Sequence, residues 1–144
     1  MTDRSADTDR QAPLTERAIR AAWIWGPPLA FMTAIVGASS IQDLQTLPGD
    51  VSDKTAHFWA YFVLGALTLR ALAAASWNAV TPRVAVSAWA IAAAFGATDE
   101  WHQSFVPGRT MALDDWVADA IGAAVAVSAG WIVARFLRRE DRTV

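Results

Sequence analysis

The sequence predicts an all-α fold, a four-helix transmembrane bundle with both termini cytoplasmic. Three observations carry this. Hydrophobic residues make up 54% of the 144 and charged residues only 18%, whereas a soluble domain carries about 25% charged residues. Eight residues are tryptophan, and indole rings favour the headgroup region of a bilayer. Four apolar stretches approach the roughly 20 residues of helix that a hydrocarbon core requires. Within them, runs such as AIAAAFGA and IGAAVAVSAG show no amphipathic face, which argues against a soluble four-helix protein. Their alanine and glycine suit close helix packing in lipid.

The elements follow in order. Residues 1–20 are polar and of mixed charge; they predict a disordered tail, with no cleavable signal peptide. The first crossing spans about 21–39. Pro27 and Pro28 lie inside it, where a membrane helix tolerates a kink. The second spans about 55–75, with Arg70 late enough to reach the headgroups with its long stem. The third spans about 82–98 and the fourth about 116–137, followed by a basic tail at 138–144. No internal repeat or long linker divides the chain, so 21–137 reads as one domain.

Charge sets the direction. With both ends inside, the inner side holds Arg4, Arg10, Arg17, Arg20, Arg70, Arg83, Arg135, Arg138, Arg139 and Arg142, and the outer side only Lys54 and Arg109. That asymmetry is what orients membrane proteins. It predicts the cytoplasmic (inner) membrane and two outer loops, about 40–54 and 99–115.

This topology brings the polar residues to one level. The second helix starts outside, the third ends there and the fourth starts there. Asp53, His57 and Tyr61 are four apart and form one stripe; Glu100 and Gln103 are one turn apart; Asp115 and Asp119 share a face. Asp119 sits about one turn inside its helix, so its carboxylate is expected to face the bundle. Ser52 or Asp53 is expected to cap the second helix and Asp114 the fourth. In FVPGRT, Pro107 and Gly108 predict a turn that aims Arg109 over the cluster.

The stretches DKTAHFWAY, DEWHQSFVPGR and DDWVADAIGA resemble the VanZ-like family of small bacterial membrane proteins. The resemblance covers about 53–122, with the spacing intact. It carries over Asp53, Lys54, His57, Phe58, Tyr61, Glu100, Gln103, Arg109, Asp115 and Gly122. Two positions depart from the family pattern: Ala112, where an Asp often follows the Arg, and Asp119, where Asn is frequent. The family is named for a protein associated with resistance to the glycopeptide teicoplanin. The resemblance therefore implies a role at the cell envelope, without implying a reaction.

Three readings of the cluster stand side by side. In the first, Asp53, Lys54, His57, Tyr61, Glu100, Gln103, Arg109, Asp115 and Asp119 form an outer pocket for an anionic lipid-linked or peptidoglycan-related ligand. In the second, the protein is an intramembrane enzyme. His57 acts as general base, tuned by Asp53 or Glu100, while Lys54 and Arg109 hold a phosphate. In the third, the groups satisfy one another and lock the helices together. The expected partners are membrane lipids and an envelope precursor.

The outer side carries Asp43, Asp50, Asp53, Asp99, Glu100, Asp114, Asp115 and Asp119 against two cations. That excess opposes an anionic ligand unless the acids are protonated or metal-bound. No cofactor is required. A hard divalent cation at Asp53, Glu100 and Asp115 is the metal such oxygens would accept. Zinc finds only His57 and His102, with no HExxH spacing, and His102 is expected to face solvent. Ser104 lies in no GxSxG elbow. No phosphate-binding glycine loop and no outer basic patch points to nucleic acid.

Overall fold

A computed structural model describes residues 13–41 and 53–140. Among them are four α-helices and no strand: α1 Leu14–Ser39, α2 Asp53–Leu72, α3 Pro82–Gln103 and α4 Leu113–Glu140, with a short 3-10 turn at Trp77–Ala79. The chain is all-α, as expected.

Helix boundaries differ from the sequence reading at the polar ends. Hydropathy stops at the last apolar residue, but backbone hydrogen bonding continues as long as the local sequence permits it. α1 begins seven residues early, so 14–20, expected in the tail, are helical. Residues 1–12 lie outside the described residues. α3 continues through Gln103, which places Asp99, Glu100 and Gln103 on a regular helix. α4 extends from Leu113 to Glu140 and takes up part of the expected C-terminal tail.

Local signals account for the starts. Thr81 accepts a hydrogen bond from the Val84 amide at 3.2 Å, and Pro82 occupies the first turn of α3, where its missing N–H costs nothing. α1 passes through Pro27 and Pro28 as one helix. Asp53 is the first residue of α2; Ser52, the other expected cap, lies outside the described residues.

Successive helices alternate in direction. At one end the Arg70 guanidinium donates to the Trp23 carbonyl at 3.3 Å and stacks over the Trp23 ring. Arg138 donates to the carbonyls of Trp77 and Val80. At the other end Ser39 meets Asp99, and His57 meets Asp119. α1 and α3 therefore finish where α2 and α4 begin. The described arginines of the helix termini gather at the first end, while Lys54 and Arg109 lie at the second.

Small residues let the helices approach. A Cβ built on Gly65 would lie 2.9 Å from the Ala123 Cα, and one on Gly122 would strike the Phe58 carbonyl oxygen. α2 and α4 thus touch backbone to backbone at this level. Tyr61, Leu64, Ala92 and Ala123 form one buried layer; Leu69, Ala73, Val80, Ala85, Ala88, Val127 and Ala134 form another. Two tryptophans join neighbouring helices. Trp89 Nε1 donates to the Ala120 carbonyl at 3.0 Å and Trp116 Nε1 to that of Ala93 at 2.9 Å, tying α3 to α4.

Large apolar side chains cover the outside, among them Trp23, Leu29, Trp59, Val86, Ile121 and Phe136. α1 and the Leu113–Arg139 stretch of α4 are long and apolar enough to cross a membrane. An apolar exterior of this kind is what a lipid solvent favours and water does not.

Candidate functional site

The antiparallel arrangement places the first two turns of α2, the last turns of α3 and the first turns of α4 at one end. The cluster forms there. His57 Nδ1 is 2.9 Å from Asp119 Oδ1 and 3.9 Å from Glu100 Oε1, and its Nε2 is 3.9 Å from Asp53 Oδ1. His57, Glu100, Gln103 and Asp119 are buried, Asp119 completely. The ligand-capable atoms of Asp53, His57 and Asp115 lie within 4.8 Å of one another, as do those of His57, Glu100 and Asp119. Imidazole 57 therefore stands between two acidic faces, one half-buried and one enclosed.

Glu100 also shapes the loop beyond it. Its Oε2 accepts the Ala112 amide at 2.8 Å, twelve residues on. This contact folds 104–112 back over the site. Gly108 takes φ 82°, the left-handed conformation that the PGR turn was expected to need. The turn brings Arg109 onto the wall of a cavity of about 220 Å3, which it lines together with Asp53, His57, Tyr61, Asp99 and Gln103. Apolar side chains complete the lining: Ile35 and Ala38 of α1, Ala56 and Ala60 of α2.

Lys54 lies elsewhere. It pairs with Asp114 in the open, both side chains more than half exposed. Each holds the other charged: the Asp114 hydrogen bond raises the Lys54 pKa, and Lys54 lowers that of Asp114. Asp114 lies in the first turn of α4, one residue inside its start at Leu113 and not at the expected cap position; its charge still suits a helix N-terminus. An exposed pair of this sort adds little to stability. Lys54→Ala is therefore expected to leave the melting temperature in detergent unchanged. A clear drop would show that the pair matters more than its exposure suggests.

One acid near the end of α3 responds to its burial. Burial pushes the Glu100 carboxyl above its ordinary value, against the pull of the Ala112 amide and His57.

The sequence reading left α1 out of the site. Ser39 Oγ donates to Asp99 Oδ1 at 2.7 Å in a buried contact, and Gln103 Nε2 donates to Asp99 Oδ2 at 3.3 Å. Asp99 is buried although it was counted only among the outer charges. The signal was available: Asp99 and Gln103 are four apart, and the Ser39-Ser40 pair ends the first crossing at the same level. His102, expected to face solvent, is half-buried with its Nε2 3.0 Å from Ser40 Oγ.

The DKTAHF, EWHQ and PGR segments thus meet around one cavity, and the DDW segment adjoins it through Asp115. The family model described as VanZ/LLP1 matches residues 7–137. This chain belongs to the VanZ/LLP1 family. No curated protein and no solved structure matches it significantly. In this VanZ-like chain the motif residues Asp53, His57, Tyr61, Glu100, Gln103 and Arg109 are neighbours in space, and Asp115 adjoins them through Asp53 and His57. Asp119, a departure from the family pattern, makes the shortest contact to the imidazole. An Asn there would offer a single acceptor oxygen, whereas the Asp of this chain brings a second carboxylate oxygen into the interior.

Proposed function

We propose that this VanZ-like protein crosses the cytoplasmic membrane four times with both ends inside, and that its outer cavity binds an anionic lipid-linked or peptidoglycan-related ligand. Such binding would underlie an envelope role of the glycopeptide-resistance kind. The observation that carries this reading is the mixed lining of the cavity, which combines Asp53, His57, Asp99, Gln103 and Arg109 with Ile35, Ala38, Ala56 and Ala60. At about 220 Å3 it suits a headgroup with the first part of a chain, below the usual size of a drug-like pocket. Arg109 supplies the positive charge for a phosphate or carboxylate, and the N-termini of α2 and α4 add partial positive charge at the same end.

The test is a melting series on the purified chain in detergent with anionic and zwitterionic envelope lipids. A ligand that binds the folded state raises the melting temperature. At a hundredfold excess over Kd the stabilisation is about 2.7 kcal/mol. The expected result is a rise with an anionic lipid that Arg109→Ala removes. Absence of any lipid-dependent shift sinks the proposal.

One observation favours a catalytic version of the same site. Asp119 holds one ring nitrogen of His57 while the ring lines the cavity, an arrangement that orients a general base. In that version, lipid recovered after incubation is chemically altered, and His57→Ala abolishes the change while the protein still inserts.

The topology has its own test. The chain contains no cysteine, and Ser104 is exposed just beyond α3. Ser104→Cys is expected to react with a membrane-impermeant maleimide in intact cells, whereas Ser76→Cys, at the opposite end, reacts only after permeabilisation. The reverse pattern would invert the orientation.

A further inference from the structure

We propose that His57 Nδ1 and the carboxylates of Glu100 and Asp119 hold one divalent cation of the Mn2+ class. This claim is independent of the lipid reading. The three donors come from α2, α3 and α4, all are buried, and their ligand atoms lie within 4.8 Å of one another. The measured edges are 2.9 Å from the imidazole to Asp119 and 3.9 Å to Glu100. A cation at about 2.1–2.4 Å from each donor sets neighbouring donors roughly 3 Å apart, so a side-chain adjustment closes the shell without moving a helix.

The surrounding groups point to the same occupant. Asp99, Glu100 and Asp119 are 2%, 3% and 0% exposed, and among the described residues no lysine or arginine forms an ion pair with them. Buried charges are normally paired or metal-bound. Two polar atoms at this spot have no hydrogen-bond partner among the described residues: Asp119 Oδ2 and the Tyr61 hydroxyl. Tyr61 is 1% exposed, and its hydroxyl lies within electrostatic reach of Asp119, Asp99 and Glu100. Both side chains crowd the same bare backbone, since a Cβ on Gly96 would be 2.9 Å from Asp119 Oδ2 and 3.2 Å from the Tyr61 ring. A cation satisfies the free carboxylate oxygen, and a water on that cation satisfies the hydroxyl.

The donor set narrows the metal. Carboxylate oxygens suit Mg2+, Ca2+ and Mn2+, while imidazole suits the transition metals; Mn2+ accepts both. The other ring nitrogen faces Asp53, the carboxylate placed to hold the ring once Nδ1 is a ligand. Because Nδ1 now shares a hydrogen with Asp119, binding releases a proton. The set differs from the sequence-level expectation of Asp53, Glu100 and Asp115: it exchanges the two half-buried acids for the enclosed imidazole and Asp119.

The experiment uses the full chain in phospholipid-free detergent, stripped with chelator and titrated with MnCl2. Free Mn2+ is read by electron paramagnetic resonance and released protons by a pH indicator. The expected result is one Mn2+ per chain. Glu100→Gln and Asp119→Asn, which keep hydrogen-bond acceptors, should each weaken binding at least about tenfold. The exposed-acid control Asp114→Asn should bind as the parent does. Circular dichroism and gel filtration verify folding, and if Asp119→Asn fails to fold, Glu100→Gln decides. No saturable binding by the parent overturns the proposal, as does unchanged affinity in the folded Gln or Asn variant. Loss in Asp114→Asn equal to that in Glu100→Gln would also overturn it, by assigning the ion to surface charge. Since no lipid is present, failure of the lipid melting test leaves this result untouched.

Discussion

Gly122→Ala is expected to lower the stability of the folded bundle by about 3 kcal/mol, the upper end of overpacking costs. The added methyl would strike the Phe58 carbonyl oxygen and crowd the Phe62 amide nitrogen at 3.1 Å. These are backbone atoms of α2, so no rotamer change relieves the clash. The helices must separate, and separation pulls His57 from Asp119 one turn away. The same variant should therefore also lose Mn2+ affinity, although it alters no polar group. Thermal unfolding in detergent followed by circular dichroism measures the effect. A shift as small as that of a surface substitution would mean that α2 and α4 do not touch at this point. Gly26 provides the contrast. A Cβ there meets nothing within 4 Å, and Gly26→Ala should be neutral or slightly stabilising through helix propensity.

Asp119→Ala is expected to cost about 3 kcal/mol, because it leaves a buried imidazole without its 2.9 Å partner. It also opens space beside Tyr61 and Gly96. Replacing both partners, His57→Leu with Asp119→Leu, should cost less than the sum of the single changes, since no polar group is then stranded. A double-mutant cycle on melting data tests the coupling. Strict additivity would show that the two groups do not depend on each other. This experiment also separates architecture from function: the doubly apolar variant retains much of the fold but should bind neither cation nor anionic ligand.

The sequence determined a great deal of this protein. Its apolar runs are long and lack an amphipathic period, so four helices with an apolar exterior follow from composition and length. Helical spacing alone put Asp53, His57 and Tyr61 on one stripe, and the alternation of helix direction then brought that stripe to the level of Glu100 and Asp119. The PGR turn was readable because only certain residues make such a bend, and Gly108 takes the positive φ that it requires.

What only the tertiary structure decided was which polar groups choose each other. Lys54 was expected beside Arg109 in an anion seat, yet it reaches the exposed Asp114, while Arg109 lines the cavity. Neighbours on a helix turn by about 100° per residue, so Asp53 and Lys54 look in different directions, and the rotation of each helix about its axis fixes which one faces inward. That rotation is set by close contacts such as Gly122 against Phe58 and Gly65 against Ala123, which depend on pairs of helices and leave no periodic trace in one chain. Asp99 and Ser39 illustrate the same point: sixty residues apart, they share a buried hydrogen bond because α1 and α3 end at the same height and lean together. Burial and pairing are properties of that packing, and packing is a relation between segments.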